Sequence, residues 1–131
     1  MNKNVGLWID QRRSVIVSLT GTEEGTKLIH SNMEEERRQG DTPTAADDYR
    51  QSELTEHLKT YYERVISYIR NAKSILILGP GEAKGELKKR LEIDNLGDRI
   101  ARVETADKMT DPQIAAKVKG HFLHHNAAAG S

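Results

Sequence analysis

Ser74-Ile75-Leu76-Ile77-Leu78-Gly79-Pro80-Gly81-Glu82-Ala83-Lys84 is the stretch on which the fold turns. Its apolar run is unbroken, short and closed by Gly-Pro-Gly. That is the pattern of a strand covered on both faces and placed centrally in a sheet. The glycine-rich turn then feeds a helix read over Glu82 to Ile93, with Ala83, Leu87 and Leu91 facing inward and Lys84, Lys88, Lys89 and Arg90 facing outward. Glu86 precedes Arg90 by one turn, a favourable surface pair.

Upstream, Leu54, Leu58, Tyr61, Tyr62, Val65, Ile69 and Ala72 recur at spacings of three and four, which predicts one long amphipathic helix over Tyr49 to Ala72. Downstream, Arg99 to Glu104 reads as a short strand. Thr110-Asp111-Pro112 then opens a last helix with a capping hydroxyl and an early proline, followed by Ile114, Ala115, Val118 and Phe122. At the N-terminus, residues 5–9 and 15–19 are β-prone runs around the polar Asp10-Gln11-Arg12-Arg13. A third run, Thr26 to Ser31, follows a polar connection over Gly21 to Gly25. The order β-β-β-α-β-α-β-α predicts an α/β fold, a mixed five-stranded sheet with helices on its faces. The 131 residues make one domain, 1–125, with a disordered tail, 126–131, that has nothing to pack against. Residues 32–48 lack apolar periodicity and read as a mobile loop rich in Glu34, Glu35, Glu36, Asp41, Asp47 and Asp48.

Composition removes several classes of function. Twenty basic and twenty acidic residues cancel, so nucleic acid or an anionic membrane can be met only by a local patch. With no cysteine there is no disulfide scaffold, thiolate zinc site or thiol nucleophile. The apolar stretch before Asp10 is too short for a signal peptide or a spanning helix, which reads as a cytoplasmic protein with no membrane partner.

Catalytic signals are thin, and no nucleophile motif such as Gly-x-Ser-x-Gly is present. Asp10, at the end of the first strand, is the one weak catalytic candidate. It reads either as a turn residue accepting backbone hydrogen bonds or as a metal carboxylate, and the latter needs other carboxylates converging on it, such as Glu56, Glu63 or Asp107. Gly79, Gly81 and Lys84 can form an anion-binding turn at a helix N-terminus, although Glu82 competes for the same positive end. Lys84, Lys88, Lys89 and Arg90 are the local basic patch for a phosphate backbone, or else a solvated face. His121 and His125 stand at chelating spacing but without a nearby acidic third ligand, so no metal and no cofactor are expected.

The succession of pieces resembles the middle domain of the eukaryotic and archaeal class 1 peptide-chain release factors and of Pelota, their ribosome-rescue relative. The residues that carry the likeness are Val5-Gly6-Leu7-Trp8-Ile9-Asp10-Gln11-Arg12-Arg13 and Ser74 to Gly81 with Lys84 after it, in matching order over residues 4–123. The chain looks like a stand-alone bacterial member of that superfamily. The resemblance implies a ribonuclease H-like "translational machinery component" fold. It does not carry over peptide release, because the loop that holds Gly-Gly-Gln in release factors holds here only Gln39-Gly40.

The expectation is therefore a non-enzymatic, ribosome-associated domain that binds the ribosome or structured RNA through Gly79, Gly81, Lys84, Lys88, Lys89 and Arg90. The alternatives are a metal-dependent ribonuclease H-like nuclease built on Asp10, and a protein-interaction module that uses the 32–48 loop. The sequence leaves the oligomeric state open, including a self-paired sheet edge.

Overall fold

The computed structural model describes residues 3–21, 23–31 and 47–129, with side chains described except over 47–57 and 124–129. Five strands form one mixed sheet: β1 (Lys3–Ile9), β2 (Arg13–Thr20), β3 (Glu23–His30), β4 (Ser74–Gly79) and β5 (Ile100–Thr105). Their spatial order is β3-β2-β1-β4-β5. The β1–β2 and β2–β3 pairs are antiparallel, and β1–β4 and β4–β5 are parallel. Three helices complete the α/β fold: α1 (Asp47–Ile69), α2 (Ala83–Ile93) and α3 (Asp111–Ala129).

Alternation along the strands sorts the side chains into two cores. Val5, Leu7 and Ile9 of β1, Ile16 of β2 and Ile75 and Ile77 of β4 face one way. They pack under Tyr61, Tyr62, Val65, Ile66 and Ile69 of α1 and Ala83, Leu87 and Leu91 of α2. Trp8, Val15, Val17, Leu76 and Leu78 face the other way, under Ile114, Val118 and Phe122 of α3. The long helix and the Gly-Pro-Gly helix thus share one face, and the last helix covers the other. Gly6 lets α3 lie close on β1, since a Cβ there would run into the Val118 side chain. The Trp8 indole N–H donates to the carbonyl of Asp107 at 3.1 Å, which ties β1 to the segment after β5.

Several boundaries differ from the sequence reading. The central strand is β1, and β4 lies inside the sheet between β1 and β5. Continuous hydrophobicity reports cover on both faces, which both strands have, and not the position in the sheet. β3 begins at Glu23, because Thr20 pairs with Glu23 and leaves only residues 21 and 22 between the strands. Gly21 has φ 60°, the left-handed conformation that a tight connection needs, whereas Gly25 lies inside the strand. α1 starts at Asp47 and ends at Ile69, so Ala72 is buried in the connection to β4 rather than in the helix. Arg99 closes a 3₁₀ turn over Gly97–Arg99 instead of opening β5. Helix α3 runs through Ala129, and residues 130 and 131 lie outside the described residues. The 32–48 loop also lies outside them, apart from Asp47 and Asp48, which open α1.

Candidate functional site

In an open sheet with parallel strands, a crevice forms where chain connections leave two neighbouring strands in opposite directions. Here that happens between β1, whose chain turns back to β2, and β4, whose chain continues through α2 to β5. The C-terminal ends of these strands flank an open cleft of about 400 Å³. It is lined by Asp10, Gln11 and Arg12 on one side and Pro80, Gly81, Glu82 and Ala83 on the other. Two segments seventy residues apart in sequence, both singled out from the sequence, therefore share one site.

The Asp10 wall is a hydrogen-bonded hub. The carboxylate oxygen Oδ1 accepts from the backbone amides of Arg12 and Arg13, both at 2.8 Å. The Asp10 amide donates to the Arg13 carbonyl at 3.0 Å. Because the Arg13 amide goes to the Asp10 side chain, the Asp10 carbonyl is left to accept from the Tyr61 phenol, at 2.9 Å. With that proton committed, the fully buried Ser14 donates its hydroxyl to Tyr61 Oη at 2.6 Å. Burial pushes the Tyr61 phenol far above its ordinary range, and the Ser14 hydrogen bond opposes this only in part. Ser31 joins the same end of the sheet, its amide donating to the Arg12 carbonyl at 2.9 Å.

Arg13 points away from the cleft. Its guanidinium lies 5.4 Å from the centre of the Trp8 ring and 3.9 Å from Asp111. Among the described residues, no group of three or more His, Asp or Glu side chains is arranged to hold a metal ion. Asp10 there is a turn residue whose Oδ1 serves two backbone amides. Of the two chelating-spaced histidines, His121 meets Phe122 edge-on at 4.9 Å, and the side chain of His125 lies outside the described residues.

The opposite wall separates the roles of the two glycines. Gly79 is buried, and a Cβ there would strike the Ile9 carbonyl oxygen, so it serves the close approach of β4 to β1. Gly81 is exposed, with open space where a Cβ would stand. Glu82 occupies the N-cap of α2, and its side chain makes no capping hydrogen bond. The first-turn amides of Ala83, Lys84 and Gly85 have no intrahelical acceptor. That is the arrangement that can meet an anionic group, with Arg12 among the residues that line the other side of the cleft and Glu82 and Asp10 limiting how much negative charge it accepts.

The four cations of α2 do not form one patch. The Lys84 ammonium folds back onto the Gly81 carbonyl. Lys88 and Lys89 are exposed, with Lys89 3.9 Å from Glu86. Arg90, expected on the outward face, instead lies over the Tyr62 ring at 5.1 Å in the groove between α1 and α2. The helix turns about 100° per residue, which carries Arg90 from the stripe of Lys88 and Lys89 toward α1. Burial, with the Glu86 carboxylate adding to it and Arg90 opposing, raises the Tyr62 phenol to about 12.

In the sequence, Tyr61 and Tyr62 read only as members of an apolar helix stripe. A tyrosine inside an apolar stripe does signal a hydroxyl that needs a partner. It does not say that the partners come from a hairpin about fifty positions away.

No family model matches the chain, and no curated protein sequence matches it. Solved structures do. The Pelota protein of Thermoplasma acidophilum superposes with a TM-score of 0.57 at 14% identity, covering 91% of this chain and 32% of that one. An archaeal translation termination factor, aRF1, superposes with a TM-score of 0.53 at 16% identity, covering 99% of this chain and 42% of that one. The chain thus spans less than half the length of either protein. At these identities the likeness is one of fold.

Proposed function

We propose that this chain is a non-enzymatic, translation-associated domain that binds the ribosome or structured RNA. The observation that carries the reading is the likeness of fold to a translation termination factor over nearly the whole chain. Two features support it. The chain contains no Gly-Gly pair, hence no Gly-Gly-Gln, so the reading is one of binding rather than peptide release. The cleft offers Gly81 and the start of α2, with Lys88 and Lys89 exposed farther along the same helix. In this reading Gly81, Lys88 and Lys89 touch the phosphate backbone, and Lys84 stiffens the turn. Gly79 and Arg90 shape the fold beneath. Such a domain works in the cytoplasm.

The test is co-sedimentation of the tagged protein with ribosomes on a sucrose gradient, at low and at physiological salt. Migration with a subunit or the intact ribosome at both salts supports the reading. A double variant, Lys88→Ala with Lys89→Ala, should then weaken binding and flatten its salt dependence, since each phosphate contact contributes to the salt slope. Protein that stays at the top of the gradient in both conditions overturns it.

A further inference from the structure

The sheet has two edges; on β5 the opposite charges, Arg102 and Glu104, already pair with each other at 3.5 Å, and β3 carries the other self-complementary pattern. Among the described residues β3 pairs only with β2, so its outer row of backbone N–H and C=O groups faces outward. All of its residues except Ile29 are exposed. Each face of this edge also shows an apolar side chain to solvent. Leu28, 42% exposed, lies on the α3 side, and Tyr68 of α1, 44% exposed, lies on the other, beneath the Lys27 ammonium at 5.2 Å.

The sequence of β3 is Glu23-Glu24-Gly25-Thr26-Lys27-Leu28-Ile29-His30, acidic at its start and basic toward its end. Run antiparallel to a copy of itself, such a strand sets acids opposite bases. A two-fold axis perpendicular to the sheet keeps the two copies' faces aligned, so each residue meets one on the same face of its strand. Centred on Lys27, the pairing would oppose two ammonium groups. Centred on Gly25, it places Glu23 opposite Lys27 and Glu24 opposite Thr26, each twice, with the two Gly25 residues at the axis. A Cβ at Gly25 would meet nothing, so the backbone there is open to close approach.

We infer that β3 is a homodimer interface, pairing antiparallel with β3 of a second copy about Gly25 to make one continuous ten-stranded sheet. The occupant is a second copy because the charges of the strand complement themselves. Glu24 is already held by Lys119 of α3 at 2.7 Å, so the complementarity rests on Glu23 and Lys27. The Glu23 carboxylate of one copy reaches the Lys27 ammonium of the other, which the Tyr68 ring already holds in place. The cleft of the proposed function lies between β1 and β4, away from this edge, so the two readings stand or fall separately.

Sedimentation equilibrium of the full chain tests the interface, over roughly 10 to 500 μM, a range suited to a short strand pairing. Wild-type protein is expected at twice the monomer mass at the upper concentrations. Glu23→Lys and Lys27→Glu, each alone, set like charges across the strands and should weaken association by about tenfold or more. An equimolar mixture of the two variants puts opposite charges across the strands again and should restore the dimer. Both side chains are exposed, and an unchanged circular dichroism spectrum confirms that each variant is folded. A wild type that stays monomeric over the whole range overturns the inference. So does a dimer that both reversals leave intact, or a mixture that associates no better than the single variants.

Discussion

Replacing Tyr61 by Phe removes one oxygen and leaves the ring packing in place, so it measures the link between α1 and the Asp10 hairpin. The phenol donates to the Asp10 carbonyl at 2.9 Å and accepts from Ser14 Oγ at 2.6 Å. Ser14 is fully buried, so its hydroxyl loses its partner where water cannot replace it, a cost of about 1–3 kcal/mol. Asp10 is half-buried and lines the open cleft, and its hydrogen bond with Tyr61 is part-buried, so the loss of that bond adds about 1 kcal/mol or less. The expected destabilisation is about 1–4 kcal/mol. Ser14→Ala alone leaves the Tyr61–Asp10 bond intact and should cost about 1 kcal/mol. In the double variant no buried hydroxyl is orphaned, so the two effects should fall short of additivity by about 1 kcal/mol. Urea titrations followed by circular dichroism and by the fluorescence of Trp8, the sole tryptophan and a buried one, give all three values. A Tyr61→Phe cost below about 0.5 kcal/mol, or strict additivity in the cycle, would refute this account of the hub.

Gly79→Ala forces a Cβ onto the Ile9 carbonyl and should cost about 3 kcal/mol, the upper range for overpacking, while Gly81→Ala should stay within about 0.5 kcal/mol; thermal melts of the two separate the roles of the glycines. Tyr61 and Tyr62 keep their protons in the folded chain above the ordinary value of 10.0. Their contribution is therefore intact below pH 10 and shrinks as the pH rises from 10 toward 12, because the unfolded chain loses those protons first. Stability measured from pH 9 to 12 should fall, and replacing both by Phe should flatten that slope; equal slopes would count against it. Glu104, held below its usual range first by the Lys117 hydrogen bond, joins β5 to α3 at 3.1 Å. Its contribution is present above 4.5 and is lost as the pH falls below that value, and at this half-buried surface site Lys117→Met should cost less than about 1 kcal/mol and less still in high salt.

Much of the fold follows from patterns a few residues long. The unbroken run of Ile75 to Leu78 marks a strand covered on both faces, and the three-and-four spacing of Leu58, Tyr61, Tyr62, Val65 and Ile69 marks a helix with one buried stripe. Ala83, Leu87 and Leu91 mark the inner side of α2. These are local signals, since side-chain period and turn chemistry depend on neighbours in the chain. The candidate site was legible only as two separate pieces, the turn after Ile9 and the turn after Leu78.

What the tertiary structure alone decided is how those pieces meet. Strand order brings the Asp10 turn beside Pro80 and Gly81, leaves β3 at an edge, and sets Gly79 against Ile9 while leaving Gly81 open. It also takes Arg90 out of the basic face and lays it on Tyr62, and it gives the Tyr61 hydroxyl its two partners. Each of these outcomes joins residues far apart in sequence. Periodicity tells which side of an element is buried, but the neighbour it is buried against is selected by the packing of the whole sheet and its helices.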